Sequence, residues 1–148
     1  MRALRAFTVV VLATGFIAAA CGGGGGTKSQ TPAEAKAEIT AAWQKFFDPA
    51  VPVEAKKDIV QDYNTLLPTL KTQTTNPQAA GIKAAVKDVT LQGDSSAQVT
   101  YDIVNAKDGT PLLPNASGQA VKVNGKWQVS EQTFCSLIKL SDPNVKCP

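Results

Sequence analysis

Histidine is absent from the 148-residue sequence, and this absence excludes several classes of active site. A serine–histidine–aspartate triad, a cysteine–histidine pair, a histidine-ligated zinc and a haem on a proximal histidine all need an imidazole. An excess of one charge is also missing, because 15 basic and 12 acidic side chains give a net charge of only +3. So small an excess does not indicate a nucleic-acid-binding protein.

The N-terminal apolar run is too short to span a membrane. It is uncharged over residues 6–20, whereas a membrane-spanning helix needs about 20 apolar residues. Arg2 and Arg5 precede it, which is the basic-then-apolar order of a secretory signal peptide. The run ends in IAAAC at residues 17–21, which resembles a bacterial lipobox. We therefore expect Cys21 to carry a lipid; an ordinary signal peptide with an unmodified cysteine is the alternative.

Five consecutive glycines follow Cys21, and residues 22–31 contain only Gly, Thr, Lys, Ser and Gln. Such a composition predicts a flexible tether with a typical end-to-end distance of about 17 Å. We predict a signal peptide over 1–20, a lipidated cysteine and tether over 21–31, and a single domain over 32–148.

Cleavage at the predicted site removes two arginines and leaves 13 basic against 12 acidic side chains. No basic patch for nucleic acid is therefore expected in the mature protein. The predicted location is the outer face of the cytoplasmic membrane or the cell envelope, with the membrane as a partner through the lipid.

The other two cysteines, Cys135 and Cys147, form an even pair in a chain predicted to be exported, which indicates a disulfide. Such a disulfide would close the short loop between the two cysteines, and chain-entropy reasoning predicts that this stabilises the fold by about 3 kcal/mol. A metal pair or a reactive thiol is the alternative, and two cysteines without histidine make a poor zinc site.

The first half of the domain has helical patterns. Thr31-Pro32-Ala33-Glu34 is a capping-box pattern, and apolar residues at helical spacing follow it to Phe47. A second helix is predicted from Pro52, with a break or kink at 64–67 caused by Pro68. A short turn or helix over 76–81 and a C-terminal helix over 131–140 complete the helical segments.

Period-two alternation then predicts about four strands, at 89–91, 97–103, 119–123 and 126–130. Val86 has the opposite parity to Val89, so the first strand starts late or carries a bulge. Asn124-Gly125 is a strong hairpin signal, whereas 108–114, which contains two prolines, is predicted to be a loop. Helices followed by antiparallel strands predict an α+β fold with helices packed on one face of the sheet.

Candidates for chemistry are few. Asp88 and Asp102 could face one another across a hairpin as an acid pair for proton or glycosyl transfer. Both fall on the polar parity of their strands, which favours a solvated face. No catalytic, cofactor-binding or metal-ligating residue is therefore predicted, and the protein is not expected to be an enzyme.

Aromatic residues offer a second interpretation. Seven are predicted to face inward, namely Trp43, Phe46, Phe47, Tyr63, Tyr101, Trp127 and Phe134. They either fill the core or leave a conical pocket, for which the candidate lining residues are Trp43, Tyr63, Tyr101 and Trp127. Leu112 and Leu113, between two prolines, are predicted to cover the open end of such a pocket or to contact a partner.

Several segments together resemble the mycobacterial low-molecular-weight secreted antigen family. They are GTPLLPN (109–115), GQAV (118–121), GKWQV (125–129) and FCSL (134–137), with WQKFFD (43–48) and LLPTL (66–70) in the helical half. The resemblance implies an exported or lipid-anchored actinobacterial envelope protein, known chiefly as an antigen, without catalytic residues. It also implies a curved, cone-shaped fold like that of nuclear transport factor 2. The pair of Cys135 and Cys147 matches the family's C-terminal pattern.

The sequence thus predicts a non-enzymatic, lipid-anchored envelope protein that resembles a surface antigen and acts as a binding module. A carrier of a small apolar ligand or lipid in a conical pocket is the first alternative. A carboxylate enzyme and a protein-interaction module that uses Leu112 and Leu113 are the others.

Overall fold

A computed structural model describes residues 30–145 and Cys147. The described chain runs from helices into strands and ends in a helix. The helices are α1 (Pro32–Phe47), a 3-10 turn (Val53–Lys56), α2 (Tyr63–Thr74), α3 (Pro77–Ala80) and α4 (Glu131–Ser141). The strands are β1 (Ile82–Leu91), β2 (Ser96–Asn105), β3 (Pro111–Val123) and β4 (Lys126–Val129).

Helix α1 has the boundaries that its local sequence predicts. The capping box is present: Glu34 N donates to Thr31 Oγ1 at 3.3 Å, and Thr31 N donates to a Glu34 carboxylate oxygen at 2.8 Å. These bonds satisfy backbone donors that a helix start otherwise leaves unpaired. The helix buries Ile39 and Trp43 completely.

The four strands form one antiparallel sheet in the order β1-β2-β3-β4. Asn124 and Gly125 join β3 to β4, both with positive φ (51° and 79°), as a tight two-residue hairpin turn requires. The register of β1 against β2 shifts between Val86 and Asp88. Of the two alternatives that the parity of Val86 leaves open, a late start or a bulge, the structure has the bulge, since β1 begins at Ile82.

The sheet curls around α1. This helix packs against β1 and β4, which are the two edge strands of the sheet, so the sheet must bend to bring both edges to one helix. Trp43 of α1 reaches β2 in the middle, where its ring centroid lies 6.1 Å from that of Tyr101. Helices against one face of a curled antiparallel sheet confirm the predicted α+β, cone-shaped fold.

Strand β3 starts earlier than predicted. The segment expected to be a loop, 108–114, contributes Pro111 to Pro114 to the strand, with Leu113 opposite Ile103. Proline is tolerated where a strand has a free edge. Strand β4 pairs only with Ala120 to Val123, so the first part of β3 is paired on one side alone.

The predicted second helix is also wrong at its start. Only Val53–Lys56 forms a 3-10 turn, and the chain then leaves the helix because Val60 makes a parallel bridge to Val129. Gln61 N donates to Val129 O at 2.9 Å. The break therefore lies before Tyr63 and not at 64–67, and α2 continues through Pro68.

None of the helices within residues 30–145 combines the length and the apolarity that crossing a membrane requires. The predicted signal peptide, Cys21 and residues 22–29 lie outside the described residues.

Candidate functional site

An apolar cavity of about 380 Å³ opens at the end of the domain where α1 ends. Phe46 and Phe47, the last residues of α1, form part of its wall, and α4 contributes Phe134 and Ile138. Other lining residues come from the 3-10 turn, α2, α3 and the adjacent strand ends, among them Val53, Leu70, Ala79, Ala80, Ile82 and Ile103. We refer to this space as the apolar cavity.

Two leucines at the mouth of the apolar cavity are exposed. Leu112 is 55% exposed and Leu140 is 68% exposed, and both line the cavity. Leu113, which is 38% exposed, does not line it. Exposed apolar side chains around a concave space are typical of a binding site. Leu112 thus lies at the open end of this cavity, on a strand and not in the predicted loop, whereas Leu113, predicted to act with it, does not line the cavity.

Lys56 is the one charged side chain among the described residues that line the apolar cavity. Its Nζ atom donates to the carbonyl oxygen of Phe46 at 2.7 Å and lies 5.8 Å from the centroid of the Phe46 ring. Partial burial lowers the pKa of Lys56, and the nearby carboxylate of Asp48 opposes that shift. The rest of the polar lining is neutral and consists of Gln73, Thr74, Asn76, Gln78 and Ser141.

The four aromatics predicted to line a pocket are not among the residues that line the apolar cavity. Trp43 and Tyr101 are completely buried between α1 and the curled sheet, and Trp127 is almost so. Tyr63 is partly buried at the start of α2. The aromatics that do line the cavity are Phe46, Phe47 and Phe134. The sequence predicts that they face inward, but only the three-dimensional packing shows which inward-facing aromatics line the cavity and which fill the core.

Two buried polar atoms, the indole Nε1 of Trp43 and the hydroxyl of Tyr101, have no hydrogen-bond partner within the described part of the chain. Burial raises the pKa of Tyr101 to about 12, since the charged phenolate is disfavoured away from water. Neither residue lines the apolar cavity, although Phe47 of its wall packs against the Tyr101 ring with the ring centroids 5.5 Å apart.

Trp127 belongs instead to a shallow groove at the other end of the domain. Its indole Nε1 donates to Gln30 Oε1 at 3.0 Å, and Lys122 Nζ donates to the same oxygen at 2.7 Å. Gln30 Nε2 donates in turn to Glu38 at 2.6 Å. Gln30, predicted to be part of the tether, is therefore attached to the domain, and the protein satisfies the polar end of Trp127 with its own groups.

The suggested acid pair does not form. Asp88 lies opposite Thr100, and Asp102 lies opposite Ala85. Asp102, predicted to be solvated, is buried: it forms an ion pair with Lys87 at 3.0 Å and accepts a 2.7 Å hydrogen bond from the backbone N–H of Asn115. These bonds lower the pKa of Asp102, so its carboxylate is a structural anion and not a proton donor near neutral pH.

Residues 30–145 and Cys147 contain no group of three or more His, Cys, Asp or Glu side chains placed to hold a metal ion. Cys135 and Cys147 form a disulfide with their Cα atoms 5.8 Å apart, which fits the predicted pairing. Cys21, predicted to be lipidated, is outside the described residues.

Comparison with known proteins gives one family. A family model described as low molecular weight antigen MTB12, C-terminal domain, matches residues 32–144. The match covers every helix and strand described above. No curated protein matches the chain.

Proposed function

The chain belongs to the family of the low molecular weight antigen MTB12 C-terminal domain, and from this premise we propose that it is a lipid-anchored, non-enzymatic envelope protein that binds a small apolar ligand. The family is one of secreted antigens, so the chain is a secreted-antigen-like, exported protein. The lipid anchor and the ligand are the proposed parts.

The anchor is supported by the N-terminal sequence. A basic start, a short apolar run and IAAAC at residues 17–21 have the order of a lipoprotein signal. Because one lipid-modified cysteine supplies the membrane contact, the domain needs no spanning helix. The anchor is tested by the mass of the exported chain, which should exceed the polypeptide mass by that of a lipid. Cys21→Ala should remove this excess, and an unmodified Cys21 in the wild-type chain would overturn the anchor.

The observation that carries the proposed binding is the pair of exposed leucines, Leu112 and Leu140, at the mouth of the apolar cavity. Exposing them to water is unfavourable, and an apolar ligand would cover them as it enters. The cavity volume of about 380 Å³ falls within the range of small-molecule sites, roughly 300–1,000 Å³.

Gln30 and the apolar cavity lie at opposite ends of the domain. Gln30, the last residue but one of the predicted tether, is held beside the start of α1, whereas Phe46 and Phe47 at the end of α1 line the cavity. Since α1 has 16 residues, these ends are about 24 Å apart. An anchored domain would therefore present the mouth of the cavity away from the tether, toward the envelope.

Binding is tested with a neutral fluorescent probe, N-phenyl-1-naphthylamine, and the exported chain. We expect the fluorescence of the probe to rise on binding. Replacing Leu112 and Leu140 together by Ser should weaken its affinity about fivefold to thirtyfold, from roughly 1–2 kcal/mol of lost apolar contact. Leu113→Ser is the matched control, because Leu113 is exposed beside Leu112 but does not line the cavity. Failure of the wild-type chain to bind the probe, or an equal loss in the control, would overturn the proposed function.

A further inference from the structure

We propose that the ligand of the apolar cavity is a single-chain amphiphile with a carboxylate head, and that the ammonium group of Lys56 binds this head. The proposal rests on the proposed function, because it names the chemical class that the same cavity would hold.

Charge complementarity supports the carboxylate. Lys56 is the one charged side chain of the cavity lining within the described residues, and neither of the ion pairs found there involves it. Its Nζ atom uses one donor for Phe46 O at 2.7 Å, and an ammonium group has three. Two donors therefore remain for a ligand.

The surroundings of Lys56 strengthen this preference. The ammonium lies 5.8 Å from the centroid of the Phe46 ring, whose edge and neighbours are apolar. Burial of a cation is unfavourable and lowers the pKa of Lys56, and the nearby carboxylate of Asp48 offsets this only in part without forming an ion pair with it. A ligand carboxylate would restore favourable electrostatics, whereas an ammonium head would be repelled.

The size and polarity of the apolar cavity support one alkyl chain. Its volume of about 380 Å³ is near the lower limit of small-molecule sites, which favours one chain over the two of a membrane phospholipid. The wall that Phe46, Phe134 and Ile138 provide is apolar and suits methylene groups. Affinity should therefore rise about fourfold for each added methylene until the cavity is full.

Three probes of equal chain length test the head group: dodecanoate, dodecanol and dodecylammonium. Each is titrated into the exported chain by calorimetry at neutral pH, below its solubility limit or, for the two ionic probes, its micelle concentration. We expect dodecanoate to bind about tenfold to a hundredfold more tightly than dodecanol, as for a charge-assisted hydrogen bond. Dodecylammonium should bind most weakly.

Variants of Lys56 assign the effect to this residue. Lys56→Met keeps the apolar stem and should remove the preference, so that this variant binds dodecanoate no more tightly than dodecanol. Lys56→Arg keeps the charge and should retain most of the preference. Lys57→Met is the matched control, since Lys57 is exposed, adjacent in sequence and absent from the cavity lining.

The outcomes separate this inference from the proposed function. Equal affinities of the wild-type chain for dodecanoate and dodecanol, or an equal loss of both in Lys56→Met, would overturn the role of Lys56 and leave an apolar binding site. No binding of any probe would overturn both proposals. Circular dichroism shows whether Lys56→Met folds. If it does not, the order of the three affinities in the wild-type chain and in Lys56→Arg tests the role of Lys56. Loss of the preference for dodecanoate over dodecanol in either chain would overturn the inference.

Discussion

The ammonium group of Lys87 lies 3.0 Å from the carboxylate of Asp102, and the contact joins two strands where both depart from regular pairing. The β1–β2 register shifts between Val86 and Asp88, beside Lys87, and the β2–β3 register shifts on either side of Ile103, beside Asp102. Bulges bend strands and increase their twist. The ion pair therefore joins β1 and β2 at two neighbouring irregularities of the sheet.

Asp102→Asn should lower the stability of the domain at neutral pH. The amide cannot form the ion pair with Lys87, and it is a weaker acceptor for the backbone N–H of Asn115. The pKa of Asp102 is lower in the folded state than in the unfolded state. The ionised carboxylate therefore stabilises the fold fully at a pH above the unfolded pKa, and this stabilisation is lost as the pH falls through the folded pKa. The melting-temperature difference between wild type and variant should therefore shrink in acid.

Asp88→Asn is the control for that experiment. Asp88 is exposed, and its carboxylate accepts a hydrogen bond from the hydroxyl of nearby Thr90 at 2.9 Å. Its replacement should change the melting temperature little. An Asp102→Asn difference that stayed constant from neutral pH into acid would contradict the role of the ion pair.

Gly118→Ala should destabilise the domain by about 1–3 kcal/mol, the usual cost of forcing an extra methyl into a packed core. A Cβ atom at Gly118 would lie 2.7 Å from Thr133 Cγ2 and 3.1 Å from Trp43 Cζ2. Gly81→Ala is the matched substitution, since its nearest heavy atom would lie 3.9 Å away. Urea denaturation of both variants measures the difference, and equal stability of the two would show that the core around Trp43 is loosely packed.

Tyr101→Phe should leave the stability at neutral pH unchanged or raise it, because the hydroxyl is buried without a partner among the described residues. Leaving such a group unpaired costs about 1–3 kcal/mol. Tyr63→Phe, at the other, partly exposed tyrosine, should have little effect. A clear loss of stability in Tyr101→Phe would mean that its hydroxyl is bonded in solution.

The same substitution should change the response to alkali. The folded pKa of Tyr101 is about 12, against an ordinary value of 10.0. Below pH 10 the phenol is neutral in both the folded and the unfolded state, so it does not make the stability depend on pH. As the pH rises from 10 toward 12, the unfolded state loses the proton first, and the free energy of unfolding therefore falls. Denaturation curves over this range should fall less steeply for Tyr101→Phe than for the wild type. Parallel curves would contradict the effect of burial on this phenol.

Replacing both Cys135 and Cys147 by Ala should lower the free energy of unfolding by about 3 kcal/mol, as chain entropy gives for a loop of this length. The two cysteines are 12 positions apart. A reductant should destabilise the wild-type chain by a similar amount and leave the double variant unaffected. A wild-type chain insensitive to reductant when partly unfolded would contradict a stabilising disulfide.

The sequence predicts those features that depend on neighbouring residues. The start of α1 follows from the capping box at Thr31 and Glu34, the β3–β4 hairpin from Asn124-Gly125, and the β1 bulge from the parity of Val86. Each of these signals acts over a few residues, so no knowledge of the rest of the fold is needed.

Features that depend on distant packing are not predicted. Alternation alone places Asp102 on a solvated face, but bulges change which side chains point inward, and Lys87 and Asn115 enclose it. Likewise Phe46 and Trp43 are both inward-facing aromatics of α1, yet Phe46 lines the apolar cavity and Trp43 the core. Which of the two lines the cavity depends on how the sheet curls around α1, and this curl is not predicted by the sequence of any single segment.

Native mass spectrometry of the protein taken from its own envelope tests most directly whether the apolar cavity holds an apolar ligand. We predict a reproducible non-covalent adduct that is lost on denaturation. Ala80→Trp, which places a bulky ring in the lining, should abolish the adduct, whereas Ala33→Trp, exposed in the first turn of α1, should retain it. A bare protein mass for the wild-type chain, or an adduct equally abundant in Ala80→Trp, would contradict the account.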